Sequence, residues 1–322
     1  MSRKKCNFSE ISKTISGCPE KLRSIKPTIG KLGFAVGLMG RRKDLTNRDL
    51  SVLELLDKHL CLTARQILLL ADFPSLDRAQ RRLLALYQKG LLARIPFFTT
   101  RPGRQEFCYF LSREGWKLIG ECSSERALKK PPQIKSNFFL NHLLLINDFW
   151  ITLELACENS PFELEEFTPE FEHGHKRGEK PTKIAFQNQK EKVILIPDAI
   201  FCLRGPKGKR LYFLEIDRGT GKISSRTYRS FSSQIQKYLL CYQAQAYAKF
   251  KETFNYPFSG FQVLYLTNSE QRIKNYQKAL AELGDLGRFV LFTCFEKLSP
   301  SSVLEKIWHP AKPDERLCSI WE

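Results

Sequence analysis

Apolar residues recur at helical spacing between Thr46 and Lys89. The run Leu50–Leu56 places them on one face of a first helix, because residues three and four positions apart lie side by side. The segment Thr63-Ala64-Arg65-Gln66 has the capping-box pattern that opens a second helix. Pro74-Ser75 precedes a third helix, which ends at Gly90. The pattern therefore predicts three short helices.

The pattern changes to strands after the third helix. Leu91–Ile95 and Glu106–Leu111 are short β-prone runs, and a basic Thr-Thr-Arg-Pro-Gly-Arg turn separates them. Three helices followed by such a hairpin predict a winged helix-turn-helix over residues 43–122. Within its third helix we expect an inward apolar stripe of Ala79, Leu83, Leu84 and Tyr87.

A linker and a second domain follow. The polar stretch 123–136, which contains two consecutive prolines, is the predicted linker. A long helix is predicted over 137–158, and strands alternate with helices beyond it, which indicates an α/β domain over 137–300. Its predicted strands are Glu163–Phe167, Val193–Phe201, Lys209–Ile216, Phe261–Thr267 and Phe289–Phe295, and its predicted helices are Arg226–Lys251 and Glu270–Leu283. A flexible basic leader (1–42) and a carboxy-terminal tail (301–322) complete this organisation, which is α/β in class and α+β overall.

The charge balance indicates the kind of partner. The chain has 52 Lys and Arg residues against 34 Asp and Glu, a formal net charge of +18. DNA is the expected partner, because basic side chains release the counterions condensed on phosphate backbones, and because a helix fits the major groove. The predicted DNA contacts are Arg78, Arg81, Arg82 and Lys89 on the third helix, and Arg101 and Arg104 at the tip of the wing.

Ten cysteines are scattered along the chain without a C-x-x-C pair, and no histidine cluster has a zinc spacing. This excludes the usual disulfide and zinc frameworks. The basic start is followed by no apolar signal-peptide region, and no apolar run is long enough to span a bilayer. We therefore expect a cytoplasmic protein without a membrane partner.

Acidic residues mark two neighbouring strands. Asp198 follows Ile196-Pro197, and Glu215 and Asp217 flank Ile216 at the end of the next strand, so that both acids share one face. If the strands form a hairpin around Gly205-Pro206-Lys207-Gly208, Asp198 comes within reach of that pair. Carboxylates are ligands that Mg²⁺ or Mn²⁺ prefers, and such an ion supports phosphodiester hydrolysis. The alternative is a structural acid cluster paired with Arg218 or Arg226.

These acids resemble the PD-(D/E)xK nuclease superfamily. More narrowly, several motifs resemble the replication-relaxation family of plasmid proteins. They are Leu86-Tyr87-Gln88-Lys89-Gly90-Leu91-Leu92, His142 with Asn147-Asp148, Pro197-Asp198-Ala199-Ile200-Phe201 and Glu215-Ile216-Asp217-Arg218-Gly219-Thr220. The resemblance covers about residues 46–267. It implies a winged helix, a restriction-endonuclease-like fold, and a role in plasmid replication or mobilisation in the bacterial cytoplasm, with DNA and plasmid replication or relaxosome proteins as partners.

The sequence departs from the nuclease motif at Asp217, which stands where a lysine is usual. In the resembling family a Lys-x-x-x-Tyr pattern follows in the next helix; here Gln234 takes the lysine position and Tyr238 is retained. Lys237 lies nearby but on another side of the helix, since each residue turns about 100°. The resemblance thus implies a catalytic set of Asp198, Glu215, Asp217, Gln234, Lys237 and Tyr238, a metal set of Asp198, Glu215 and Asp217, and His142, Asn147 and Asp148 as auxiliary residues.

Three functions remain open at this point. The first is an accessory DNA-binding protein of plasmid or mobile-element replication whose nuclease-like domain does not cut, and which then needs no cofactor. The second is an active nicking endonuclease that uses Mg²⁺ or Mn²⁺ and is targeted by the winged helix. The third is a transcriptional regulator, which leaves the acidic motifs without a purpose. A lysine close to Asp198 and Glu215 would favour the enzyme.

Overall fold

The computed structural model describes residues 45–98, 105–120, 137–171, 180–188, 191–219, 230–281, 289–313 and 315–322. The predicted leader, the linker and the wing tip with Arg101 and Arg104 lie outside these ranges. The described residues form two compact units, one up to Asn147 and the other from Asp148 onward. Both combine helices and strands, which confirms the predicted α/β class.

The amino-terminal unit consists of helices and one small antiparallel sheet. Thr46 and Thr63 each cap a helix through their hydroxyl groups, and the predicted capping box at Thr63 is present. The sheet has the strand order β1-β3-β2. In chain order the elements are α1 (Asn47–His59), β1 (Leu62–Thr63), α2 (Ala64–Leu70), α3 (Leu76–Gln88), β2 (Leu92–Phe98), β3 (Gln105–Leu111), α4 (Arg113–Gly120) and the first half of α5 (Asn137–Glu158).

The apolar stripe of helix α3 differs from the prediction. Ala79, Leu83 and Leu86 are fully buried, whereas Leu84 is 39% and Tyr87 40% exposed. The expectation that Leu84 and Tyr87 point inward was therefore wrong. The buried residues follow the i, i+4, i+7 spacing of one helix face, and Tyr87 lies on the neighbouring face, where its ring contacts the Arg94 guanidinium at 4.4 Å.

The carboxy-terminal unit begins with the second half of helix α5, whose observed bounds equal the predicted ones. No helix in the described part of the chain is both long and apolar enough to cross a membrane. The elements that follow are β4 (Glu163–Pro169), β5 (Ile184–Asn188), β6 (Glu191–Leu195), β7 (Ala199–Gly205), β8 (Gly208–Ile216), α6 (Phe231–Gln243), α7 (Phe250–Phe254), β9 (Gln262–Thr267), α8 (Glu270–Ala281) and β10 (Val290–Cys294), with 3₁₀ turns at Ala246–Lys249 and Phe295–Lys297.

A five-stranded mixed sheet organises this unit, with the strand order β10-β9-β8-β7-β4. Strand β7 pairs antiparallel with β4 and with β8, whereas β9 pairs parallel with β8 and with β10. Strands β5 and β6 form a separate hairpin. The predicted single strand Val193–Phe201 is thus two strands, β6 and β7. The interruption contains Pro197, whose ring nitrogen cannot donate to a strand ladder.

Both faces of the large sheet are covered by aromatic side chains. On one face Trp150 of helix α5 stacks on Phe167, and Phe167 stacks on Phe201. On the other face Phe213 and Tyr265 pack against helices α6 and α8 within one buried cluster. Side chains alternate between the two faces of a strand, so both sides of β7 and β8 are apolar and the sheet is the middle layer of this unit.

The last residues of the chain pack on the same unit. Trp308 is fully buried, and its indole Nε1–H donates to the Val303 carbonyl at 2.9 Å. The Tyr212 hydroxyl donates to the Ile320 carbonyl at 2.8 Å, and Trp321 contacts Phe162. The segment predicted as a tail therefore contributes to the core.

Candidate metal and phosphodiester site

The β7–β8 hairpin places Asp198 beside Glu215. Its turn is tight, and Gly208 has a φ of +117°, a conformation that favours glycine. The hairpin pairs Ala199 with Leu214, so Asp198 and Glu215 are the next neighbours across the two strands. The Asp198 carboxylate accepts a hydrogen bond from the backbone N–H of Ile216 at 2.6 Å. The predicted closeness of Asp198 and Glu215 is present.

A third carboxylate, Glu170, extends this pair. Strand β4 pairs Pro169 with Ala199, and the N–H of Glu170 donates to the Asp198 carbonyl at 2.7 Å. A carboxylate oxygen of Glu170 lies within 4.8 Å of one of Asp198. We call Glu170, Asp198 and Glu215 the acid row, because they lie next to one another at the adjoining ends of the neighbouring strands β4, β7 and β8. Sequence reasoning missed Glu170, although it directly follows a β-prone run, as Asp217 does.

Helix α6 binds the last member of the acid row. Ser230 caps this helix, and Gln234 and Tyr238 lie one turn apart on the same side of it. The Gln234 amide donates to Glu215 Oε1 at 2.9 Å, and the Tyr238 hydroxyl donates to the same oxygen. The structure therefore brings together Gln234, Tyr238 and Glu215, as the resemblance implied.

Burial raises the pKa of Glu215 to about 8, and repulsion from Asp198 adds to the rise. The hydrogen bonds from Tyr238 and Gln234 and the charge of Lys237 oppose it without cancelling it. A buried carboxylate whose neighbours do not balance its charge gains from a nearby cation. The carboxylates of Glu170 and Asp198 are hard oxygen ligands with oxygens within 4.8 Å of each other, a spacing that suits Mg²⁺ or Mn²⁺, and Glu215 is the next carboxylate along the row.

Asp217 has a different set of partners. Both of its oxygens accept hydrogen bonds from the Arg272 guanidinium, and its Oδ2 also accepts from the Tyr276 hydroxyl at 2.5 Å and from the Thr267 hydroxyl at 3.2 Å. The Gly219 N–H donates to Oδ1 at 3.1 Å. Asp217 therefore connects the end of β8 to helix α8 through an ion pair and hydrogen bonds to both of its carboxylate oxygens. Glu215 connects the same strand end to helix α6.

The predicted auxiliary residues lie on helix α5. The Asn147 amide donates to the carbonyls of His59, at 3.0 Å, and Cys61, at 2.7 Å, and so serves the amino-terminal unit. His142 and Asp148 are half-buried. Their functional roles stay predictions.

The predicted DNA contacts of helix α3 differ in their surroundings. Arg82 binds the buried carboxylate of Asp49 through two guanidinium nitrogens. Arg81 pairs with Asp77 at 2.8 Å, and its side chain is 79% exposed. Arg78 and Lys89 are exposed. Arg78, Arg81 and Lys89 are thus accessible to a partner, while Arg82 already has a structural role.

Comparisons with known proteins identify a family. The replication-relaxation family matches the chain over residues 53–254, more than half of its length. No match is found among curated proteins. A solved structure described as the restriction endonuclease FokI is similar with 13% identity and a TM-score of 0.25, over 78% of this chain and 42% of the FokI chain.

Proposed function

The chain belongs to the replication-relaxation family, and on this premise we propose that it binds DNA in plasmid or mobile-element replication and mobilisation, and that its carboxy-terminal unit nicks DNA with a divalent metal ion. The observation that carries the proposal is the acid row, in which Glu170, Asp198 and Glu215 lie next to one another at the ends of three neighbouring strands. Gathering carboxylates in a partly buried place costs free energy unless a cation balances them. Their grouping at the ends of these strands is therefore best explained by metal-dependent chemistry on a phosphodiester.

DNA binding is assigned to the amino-terminal unit. Its short helices followed by the β2–β3 hairpin have the order of a winged helix-turn-helix, in which the third helix enters the major groove. Helix α3 presents Arg78, Arg81 and Lys89 to solvent, and the chain has a net charge of +18. These cations suit contacts with phosphates, which supply most of the affinity for DNA and depend on salt. Plasmid replication or relaxosome proteins are the expected further partners.

The acid row would hold Mg²⁺ or Mn²⁺. When bound, such an ion activates a water molecule and neutralises the charge of the scissile phosphate. Gln234 and Tyr238 orient the Glu215 carboxylate by donating to Oε1, so we assign its Oε2 to the metal ion. The Ile216 N–H orients Asp198 in the same way. This chain therefore contributes preoriented ligands.

A second candidate is an accessory DNA-binding protein that does not cut. The observation in its favour is Asp217, which replaces the usual lysine of the motif and is saturated by Arg272, Tyr276 and Thr267. In this case the acid row is a remnant of a nuclease fold. The two candidates differ in one measurable property, metal-dependent cleavage.

The deciding experiment is nicking of supercoiled plasmid by the purified chain with Mg²⁺ or Mn²⁺. Asp198→Asn should slow nicking by about 1,000-fold or more, because it removes a charged ligand from the acid row. Glu163→Gln is the matched control: this carboxylate is exposed on strand β4, and we expect the rate to change by less than about threefold. Binding to DNA should be equal in all three proteins. Absence of nicking by the unaltered chain, with DNA binding intact, would favour the accessory role.

A further inference from the structure

A lysine lies beside the acid row although Asp217 occupies the usual lysine position of the motif. The ammonium group of Lys180 forms an ion pair with Oε1 of Glu170. The charge of Asp198 acts on the same ammonium group. Lys180 thus pairs with one member of the acid row, Glu170, and lies within electrostatic range of the next, Asp198.

The fold holds this segment in place. Thr182 is fully buried, and its hydroxyl donates to the Pro197 carbonyl at 2.7 Å, directly before Asp198. The N–H of Lys183 donates to the Lys180 carbonyl at 3.0 Å, and Lys249 Nζ donates to the Lys183 carbonyl at 2.8 Å. Lys180 therefore approaches the acids from a backbone anchored next to them, as a functional group on a rigid support does.

The surroundings of Lys180 are those of a partly enclosed group. Its side chain is 35% exposed, and its ammonium group lies 5.5 Å from the centre of the Phe171 ring. Burial lowers its pKa, and attraction by Asp198 opposes that shift. The ammonium group of Lys180 pairs with Glu170, so the remaining acids of the row can still accommodate a divalent cation beside the lysine.

We propose that Lys180 supplies the ammonium group that is missing from position 217, and that it orients the water molecule that attacks the scissile phosphate. This inference rests on the proposed nicking activity. In the hydrolysis, the water oxygen forms a bond to phosphorus while one P–O ester bond breaks, and the proton from water ends on the leaving oxygen. Lys237, which acts on Glu215 from helix α6, is left with a supporting electrostatic role.

The test compares Lys180→Met with Lys180→Arg, and uses Lys183→Met as a matched control. Lys183 belongs to the same turn, but it is exposed and uses only its backbone in the contacts above. Single-turnover nicking is measured with Mn²⁺ at saturating DNA and metal, beside DNA affinity, the Mn²⁺ concentration for half-maximal rate, and thermal unfolding.

We expect Lys180→Met to slow the saturated nicking rate about 100-fold, which is in the range for loss of a proton-transfer or water-orienting group. The DNA affinity and the Mn²⁺ concentration for half-maximal rate should each change less than about threefold. Lys180→Arg should recover at least about tenfold of this loss, because a cation is restored. Should the methionine variant not fold, Lys180→Gln, which still offers Glu170 a hydrogen bond, takes its place.

The outcomes separate this inference from the proposed function. A Lys180→Met protein that nicks at the rate of the unaltered chain, while Asp198→Asn does not nick, would overturn the role of Lys180 and leave the nuclease. The role of Lys180 would also be overturned if Lys180→Met changed only the unfolding temperature or the Mn²⁺ concentration for half-maximal rate, and left the saturated nicking rate unchanged. If the unaltered chain itself does not nick, the proposed function fails, and the inference fails with it.

Discussion

The buried carboxylates of the two units differ in the direction of their pKa shifts. Asp49 of the amino-terminal unit is fully buried, and it accepts hydrogen bonds from the Arg82 guanidinium and from Thr46. Burial alone would raise its pKa, but these bonds outweigh burial and lower it. In the carboxy-terminal unit, burial and Asp198 raise the pKa of Glu215 to about 8.

This difference in pKa distinguishes a carboxylate that stabilises the fold from one that is a candidate ligand. A buried acid whose charge is balanced within the fold, such as Asp49, holds two helices together and needs nothing from outside. An acid such as Glu215, whose pKa is raised by burial and by a neighbouring acid, gains from a nearby cation. Asp217, two residues from Glu215, belongs with Asp49, since Arg272 balances it.

The largest effect of a substitution at a fixed pH should come from breaking the balanced pair of Arg82 and Asp49. Arg82→Ala leaves the Asp49 carboxylate buried without its guanidinium, and we expect the free energy of unfolding to fall by about 3 kcal/mol. Arg81→Ala breaks an exposed pair with Asp77 and should change the free energy of unfolding by less than about 0.5 kcal/mol. Urea denaturation of the full chain measures both. Equal losses would show that burial of Asp49 does not distinguish the two arginines.

The next effect concerns the unbalanced acid and pH. The pKa of Glu215, about 8 in the folded protein, exceeds its ordinary value of 4.5 in the unfolded chain. Between these values the folded state holds a proton that the unfolded state has released, so this group makes stability fall as pH rises from about 4.5 to 8. Glu215→Gln removes this contribution, and its stability relative to the unaltered chain should rise over that window, by up to roughly 1.4 kcal/mol per pH unit.

Urea denaturation of both proteins at several pH values measures this trend. Addition of Mn²⁺ should stabilise the unaltered chain at pH 8 and leave Glu215→Gln less affected. A difference between the two proteins that is the same at pH 5 and pH 8 would contradict the assignment of Glu215 as the titrating acid.

The smallest effect should separate Asp217 from the acid row. Asp217→Asn retains the shape of the side chain but weakens its bonds to Arg272 and Tyr276, so we expect a stability loss of about 1–2 kcal/mol. Its Mn²⁺ affinity, measured by calorimetry, should stay within about threefold, whereas Asp198→Asn should lose at least about tenfold. A tenfold loss in Asp217→Asn would return Asp217 to the metal site, as the motif resemblance implied.

Several features of the fold could be predicted because they depend on local sequence. The capping box at Thr63, the bounds of helix α5 and the β7–β8 hairpin follow from short-range patterns. The error in helix α3 arose where long-range packing decides, whereas the missed break in Val193–Phe201 follows from a local signal, Pro197. Leu84 and Tyr87 have the right spacing for an inward stripe, yet the neighbouring face, with Leu86, packs on the core.

The sequence by itself determined the α/β class, the excess of positive charge and the proximity of Asp198 and Glu215, because a tight hairpin brings the ends of two consecutive strands together. Only the tertiary structure decided which groups lie around these acids. Glu170 adjoins Asp198 through the pairing of β4 with β7, Lys180 pairs with Glu170 from an anchored turn, and Asp217 pairs with Arg272. These contacts link residues far apart in the chain, and no local spacing encodes them.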